Sequence, residues 1–189
     1  MSDARLTLKT PWVERWQPQF IGTLLFLCRG DEVLLIHKKT GHGAGRVNGP
    51  GGKLEPGETV VAGACREVYE EVGLRVRNPR MAAEMRFVER RGPQWLGFAL
   101  VSSDFSGQLR ETLEAKPFWC PMEDIPYPLM WPDDRLWLPF VLSRPAQAAP
   151  FVINLLFDDE TLVAHDFAAC DSIWEAIVGP PKRVNCLKG

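Results

Sequence analysis

The chain is expected to fold as an α/β (α+β) domain, and three observations predict it. Short apolar runs of strand length, rich in Val, Leu, Ile and Phe, recur between residues 22 and 165. One longer segment, 59–73, has a helical period instead of an alternating one. A second, 133–143, follows a Pro-Asp-Asp start late in the chain. Strands placed before, between and after two helices suit a sheet covered by helices. The length of 189 residues is enough for one domain with a substantial core.

Each element follows from its residues. Residues 22–28 read as a buried strand, Arg29-Gly30-Asp31 as a turn, and 32–38 as the hairpin partner. Residues 41–45, Gly-His-Gly-Ala-Gly, form a flexible loop that leads into 46–53 and borders the site. The helix begins at Thr59, an N-cap just after the turn-forming Pro56-Gly57 pair, and stops at Gly73. Residues 80–90 and 94–102 read as strands joined around Arg91-Gly92-Pro93, and 114–120 as another strand. Glu123-Asp124 begins a short turn. The second helix, 133–143, is opened by Pro132 and bent or relieved by Pro139. Residues 151–157 and 161–165 flank Asp158-Asp159-Glu160, a hairpin turn. A short extra helix is expected over 171–178 and irregular chain after it. Residues 1–20, with Trp12 and Trp16 among prolines and charges, read as an extension that packs on the body or on a second subunit. No repeat, low-complexity segment or second domain is recognised.

Composition excludes several function classes. Hydrophobic residues make up 46% and charged residues 24%, ordinary for a soluble globular chain. A net charge of −2 argues against a nucleic-acid polymer as partner, because tracking phosphates needs a basic surface. A small anionic substrate with its own metal is compatible. No apolar run approaches the roughly 20 residues of a membrane span, and the N-terminus lacks a signal-peptide apolar core. Cysteines 28, 65, 120, 170 and 186 show no CxxC and no metal spacing, and read as reduced thiols of a cytosolic protein. The three histidines form no ligand pattern.

The first helix carries the chemistry. Glu67, Glu70 and Glu71 fall within an arc of about 100° on a helical wheel, with Val61, Ala64, Cys65, Val68 and Val72 on the neighbouring face. No lysine between Thr59 and Gly73 offsets their repulsion. A hard divalent cation would relieve it, and Mg²⁺ commonly bridges carboxylates to substrate phosphates. The alternative is a solvated acidic face. Phosphoryl transfer needs a metal on the phosphate oxygens and an activated in-line nucleophile. Glu67, Glu70 and Glu71 are the candidate ligands or base. Arg66 is a candidate for orienting a carboxylate through a bidentate pair, with Glu58 as partner. Lys38, Lys39 and Lys53 are available to hold polyphosphate.

The stretch 52–74 resembles the Nudix box, G-x5-E-x7-R-E-U-x-E-E-x-G-U with U aliphatic. Gly52, Glu58, Arg66, Glu67, Val68, Glu70, Glu71, Gly73 and Leu74 stand at its specified positions. The chain is thus similar to the MutT-like Nudix hydrolases. The resemblance implies an α/β/α sandwich with a mixed sheet between helices. It also implies Mg²⁺, with Mn²⁺ as an alternative, held by Glu67, Glu70, Glu71 and the Gly52 carbonyl. A loop glutamate such as Glu114 would join the metal or act as base, and which carboxylate is the base stays open.

The second constellation is Met130-Trp131-Pro132-Asp133-Asp134. On its own it reads as a helix start, with aspartates capping the end and complementing the dipole. Segments 38–53 and 116–134, however, resemble the branch of that family which hydrolyses oxidised purine nucleoside triphosphates. The resemblance spans 21–167 and leaves extensions at 1–20 and 168–189. It implies that Trp131 stacks on the purine and that Asp133 and Asp134 face its Watson–Crick edge. Asn48, Phe87 and Thr23 would complete the pocket as polar contact, wall and floor. Two carboxylates so close in a dry pocket rarely both ionise, so one can accept and the other donate. The chain departs from the branch at Val47 and Pro50, where aromatic residues are expected, and at His42, where the pocket loop has Phe. The implied function is a Mg²⁺-dependent diphosphatase that converts 8-oxo-dGTP or 2-hydroxy-dATP to monophosphate and pyrophosphate in the cytoplasm, cleansing the nucleotide pool. A Nudix hydrolase of ADP-ribose or a dinucleoside polyphosphate is the second reading, and a catalytically silent nucleotide sensor the third. The partner is a small nucleotide, neither a nucleic-acid polymer nor a membrane, and the oligomeric state is left open.

Overall fold

A computed structural model describes residues 16–168. β1 (Phe20–Arg29) turns into β2 (Glu32–Lys38), with Cys28 opposite Val33. Two short strands follow, β3 (Val47–Asn48) on β2 and β4 (Gly51–Lys53) on β1. Next come α1 (Val60–Val72), β5 (Leu74–Arg77), β6 (Arg80–Glu89), β7 (Trp95–Ser102), β8 (Asp104–Gly107) and β9 (Ala115–Pro121). α2 (Asp134–Ser143), β10 (Phe151–Asp158) and β11 (Thr161–Ala168) complete the described chain. The main sheet runs β11-β10-β6-β7-β1-β2-β3, with β4 also on β1 and β9 on β2. It is mixed, because β1 is parallel to β7 and β10 is parallel to β6. β5 and β8 pair separately.

The alternation of β1 sorts the core into two layers. Leu25 and Leu27 pack with Val60, Ala64, Val68 and Val72 of α1. Phe26 points the other way, into a cluster with Trp137, Leu138 and Val141 of α2. One helix on each face makes the expected α/β/α sandwich. Each fully buried aliphatic side chain contributes roughly 1.5–3 kcal/mol. These clusters, more than helix propensity, hold the two helices in place.

α1 has the ends its residues dictate. Thr59 Oγ1 accepts from the Ala62 N–H at 3.2 Å, and Gly73 closes the helix at φ 79°. The hairpin turn before β11 places Asp159 and Glu160 at φ 53° and 61°, a left-handed pair of the kind that suits tight hairpins. The strand expected from residue 114 begins at Ala115, so Glu114 belongs to the preceding loop. β3, β4, β5 and β8 were not foreseen. They have two to four residues each, too few to show a period. The expected helix at 171–178, the irregular end and most of the N-terminal extension lie outside the described residues.

No described helix is long and apolar enough to cross a membrane. Cys28 and Cys120 are free thiols, whereas Cys65 is disulfide-bonded. That corrects the all-reduced expectation: the number and spacing of cysteines do not say which sulfurs the fold brings together.

Candidate active site

A cleft of about 780 Å³ reaches from the Gly51–Gly52 backbone and Glu67 at one end to Asp133, Asp134 and Trp137 at the other. β4 and α1 supply the first end. The segment before α2, with β1, β3, β6 and β7, supplies the second.

At the α1 end the carboxylates are graded by depth. Glu71 is fully buried, ion-paired to Lys38 and accepting the Gly51 N–H at 2.8 Å. Burial pushes its carboxyl up, and the Lys38 hydrogen bond pulls against that. Glu67 is partly buried, and burial pushes it up as well. Its carboxylate lies so close over Gly52 that a Cβ there would sit 2.5 Å from it. Only glycine lets this carboxylate meet the β4 backbone. Glu70 stands in solvent, with 54% of its side chain exposed.

Arg66 ties this end together. Its Nε and Nη2 fork the Glu58 carboxylate at 3.0 Å each, and Nη1 donates to Glu67 and Glu70 at 2.9 Å each. Nη2 also reaches the Lys53 carbonyl at 3.0 Å. The guanidinium holds Glu58 below the usual carboxylate range, and Glu58 in turn raises the guanidinium.

The three α1 carboxylates therefore do not converge as the wheel suggested. Among the described residues no group of three or more His, Cys, Asp or Glu is placed to hold a metal ion. Their repulsion is relieved by Arg66 and by Lys38, which comes from β2 and is invisible to a wheel of α1. The donor chemistry still fits a hard divalent cation: carboxylate oxygens in three degrees of burial, beside the glycine backbone over which Glu67 lies.

The other expected phosphate and metal residues are scattered. Lys53 is exposed, with Nζ 3.8 Å above the Phe20 ring. Lys39 turns away to Glu111 at 2.6 Å. Glu114 is exposed, its carbonyl accepts the Lys39 N–H at 2.7 Å, and it does not line the cleft.

The α2 end is built differently. Asp133 and Asp134 are each only 2% exposed. Asp133 occupies the N-cap position yet makes no cap bond; its Oδ2 accepts instead from Trp137 Nε1 at 2.8 Å. Asp134 Oδ2 accepts the Trp131 N–H at 3.0 Å. Burial pushes Asp133 up to about 6 against the pull of Trp137. Asp134 is pushed well above the usual range by burial and then by Asp133, against smaller pulls from the Trp131 N–H and Arg46. Burial and mutual repulsion thus favour a proton on the pair.

The remaining expected residues gather around these aspartates. Thr23 is buried on β1, and its Oγ1 has no hydrogen-bond partner. Asn48 Oδ1 accepts the Gly49 N–H at 2.8 Å, and Phe87 stands 6.4 Å from Phe157. Trp131 carries Arg46 over its ring at 4.2 Å and His42 stacked at 5.2 Å. Sequence reasoning missed Trp95, which lines the cleft on the other side of His42 at 5.0 Å, and Trp137. Two signals were present. Trp95 alternates with the cleft-lining Gly97 on β7, and Trp137 stands four residues, one helical turn, after Asp133.

Comparison with known proteins bears on both ends. The NUDIX domain matches residues 18–141. The chain is 34% identical over 151 residues to the oxidized purine nucleoside triphosphate hydrolase of Mus musculus, covering 79% of this chain and 95% of that protein. It is 36% identical over 123 residues to the protein of that name from Danio rerio, covering 65% and 79%. Among solved structures, a MutT protein from Bacillus halodurans superposes with a TM-score of 0.68 at 23% identity over 78% of this chain and 97% of that one, a likeness of fold.

Proposed function

The chain belongs to the NUDIX family of hydrolases, which act on small nucleotides and generally use a divalent metal ion, and within it we propose a Mg²⁺-dependent diphosphatase for oxidised purine nucleoside triphosphates. Water and a substrate of the 8-oxo-dGTP or 2-hydroxy-dATP type would give the monophosphate and pyrophosphate, cleansing the nucleotide pool of the cytoplasm. The catalytic unit would span 21–167.

One observation carries this reading: a buried Asp133–Asp134 pair, pushed by that burial toward the protonated form, beside Trp131 and in the same cleft as Glu67. Such a pair both accepts and donates, which matches the mixed donor and acceptor edge of an oxidised purine. Trp131 supplies a stacking face, Phe87 a wall, and Asn48 an amide that can do either job. The unpartnered Thr23 hydroxyl is a buried polar group that a bound base would satisfy.

At the α1 end Glu67, Glu70, Glu71 and the Gly52 carbonyl are the groups that would hold Mg²⁺, which when bound neutralises charge on the phosphate oxygens. A carboxylate of the set that is left off the metal can take a proton from the attacking water, and Glu67 stands over the Gly52 backbone. Arg66 positions it, and Glu58 positions Arg66. Lys38 pairs with the buried Glu71 and opposes the upward push of its burial, and Lys53 lines the same cleft from over the Phe20 and Trp95 rings. Glu114 has no part in this arrangement.

The test is pyrophosphate release with Mg²⁺ from 8-oxo-dGTP, 2-hydroxy-dATP, dGTP, dATP and ADP-ribose side by side. The proposal requires the oxidised purines to lead by kcat/KM. Turnover of ADP-ribose alone would discard the base-pocket reading, and no turnover of any nucleotide would favour a silent sensor.

A further inference from the structure

A continuous aromatic stack crosses the mouth of the cleft. Phe20 lies against Trp95 at 4.8 Å, Trp95 against His42 at 5.0 Å and 18°, and His42 against Trp131 at 5.2 Å and 22°. Arg46 closes the far end over Trp131 at 4.2 Å. Both indole contacts of the imidazole are near-parallel, and His42 remains exposed. His42 is thus a flat heteroaromatic ring held between two indoles, in the position of a base.

The members of the stack differ in how firmly they are held. Trp95 begins a strand of the main sheet, and the Trp131 N–H is held by the buried Asp134. His42 rides on the 41–45 loop, where Gly41, Gly43 and Gly45 have φ of 73°, 81° and 87°. At its base the loop is closed by backbone bonds, Gly45 N–H to the Lys38 carbonyl at 2.8 Å and Lys38 N–H to the Arg46 carbonyl at 3.0 Å. Within the loop the Ala44 N–H donates to the Gly41 carbonyl at 3.2 Å and the Arg46 N–H to the Gly43 carbonyl at 3.0 Å; the ring itself rests on its stacks, and Arg46 pairs with Glu160 at 3.0 Å.

We propose that His42 is a built-in competitor for the base: its imidazole fills the slot between Trp95 and Trp131 in the ligand-free protein, and a purine binds only as the 41–45 loop withdraws. The inference rests on reading Trp131 as the stacking partner of the base. Burial, with help from Lys53, pushes the imidazole below its ordinary range, so the ring in the slot is neutral, as a nucleobase is. A purine offers each indole two fused rings where imidazole offers one, so it can win the exchange. Until it does, the protein binds with reduced affinity. A slot occupied about nine tenths of the time weakens apparent affinity about tenfold.

The experiment uses the whole chain, 8-oxo-dGMP as a non-hydrolysed probe, and His42→Ala. The dissociation constant of the probe should fall by about three- to tenfold in the variant, and KM for the triphosphate should fall with it. A group that merely pads the pocket or stacks on the base would move both constants the other way. Proton NMR gives a second readout, since the chain has only three histidines. The His42 ring protons should be shifted upfield in the free protein by both indoles and should lose that shift on saturation with the probe. Two results overturn the proposal while leaving the base pocket standing: wild-type binding with no gain in His42→Ala, or an upfield shift that persists in the complex. If neither protein binds any purine nucleotide, the base-pocket reading falls first and this inference with it.

Discussion

At the α1 end of the cleft, Glu71 is buried beside Lys38 and Glu67 is partly buried beside Arg66. At the α2 end, Asp133 and Asp134 are buried with tryptophan N–H donors, and the cation that pulls on Asp134, Arg46, has a smaller effect than burial. Burial raises all four carboxyls, yet the two ends resolve the cost in opposite ways. The first sets cations against its carboxylates, which favour the ionised form; the second sets none in direct contact, which favours a proton on the pair. Ionised oxygens suit a metal and phosphates, and a half-protonated pair suits a neutral base with donors and acceptors. One residue class thus serves both halves of a nucleotide because the surroundings differ.

The strongest test of this division is Glu67→Gln. Loss of the charge should lower kcat about 10²- to 10⁴-fold, with an unchanged circular dichroism spectrum. Retention of more than a tenth of the rate would remove Glu67 from the working end. The base should still bind, so the affinity for 8-oxo-dGMP should hardly move.

Stability against pH separates the ends next. Asp133 has a folded pKa of about 6 against an ordinary 3.8, so the folded state holds its proton more tightly than the unfolded state. Its contribution is fully present below the ordinary carboxylate pKa and is lost as pH rises through 6. Glu67 and Glu71 share this sign, so the wild type should lose stability from pH 4 to 8. Asp133→Asn should flatten that slope in urea titrations, since the amide oxygen can still accept from Trp137. An unaltered slope would mean that burial does not raise the Asp133 carboxyl above its value in the unfolded chain.

What the sequence revealed follows the range of the interactions. The caps of α1 are local, and Thr59 and Gly73 announce both ends. The hairpins are equally local. The Lys38–Glu71 pair joins residues 33 positions apart, so the acidic arc looked unrelieved although a cation from β2 lies on it. Local propensity also favours Asp133 as a helix cap, but burial beside Trp137 redirects its carboxylate, and the helix begins without a side-chain cap. The contact of Trp95 with His42 depends on how β7 lies beside the 41–45 loop, which no periodicity encodes. Motif spacing therefore located the chemistry of the cleft, while its charge balance and aromatic closure arise from tertiary contacts.

A smaller effect is expected from Asp134→Asn on selectivity. Asn keeps the acceptor for the Trp131 N–H but no longer shares a proton with Asp133. The kcat/KM ratio of 8-oxo-dGTP to dGTP should change by about tenfold or more, within the range that polar recognition commands. The Mg²⁺ concentration for half-maximal rate should stay where it is. A shift in metal requirement with no change in selectivity would show that the two ends are one electrostatic unit.

The mildest change falls where the ends meet. Thr23 sits on β1 opposite Gly52 of β4, and its Oγ1 is buried without a partner. An unsatisfied buried hydroxyl costs the free protein about 1–3 kcal/mol. Thr23→Val removes that cost at nearly constant shape, so the free protein should melt slightly higher. If the hydroxyl is reserved for the base, KM should rise by about two- to tenfold, the worth of one net hydrogen bond, with kcat little altered. A higher melting temperature with KM unchanged would make Thr23 an ordinary strand residue and leave base recognition to Asp133, Asp134 and Asn48. A fall in kcat instead would mean that the floor of the base pocket transmits to the β4 backbone under Glu67, coupling the ends through the pairing of β1 with β4.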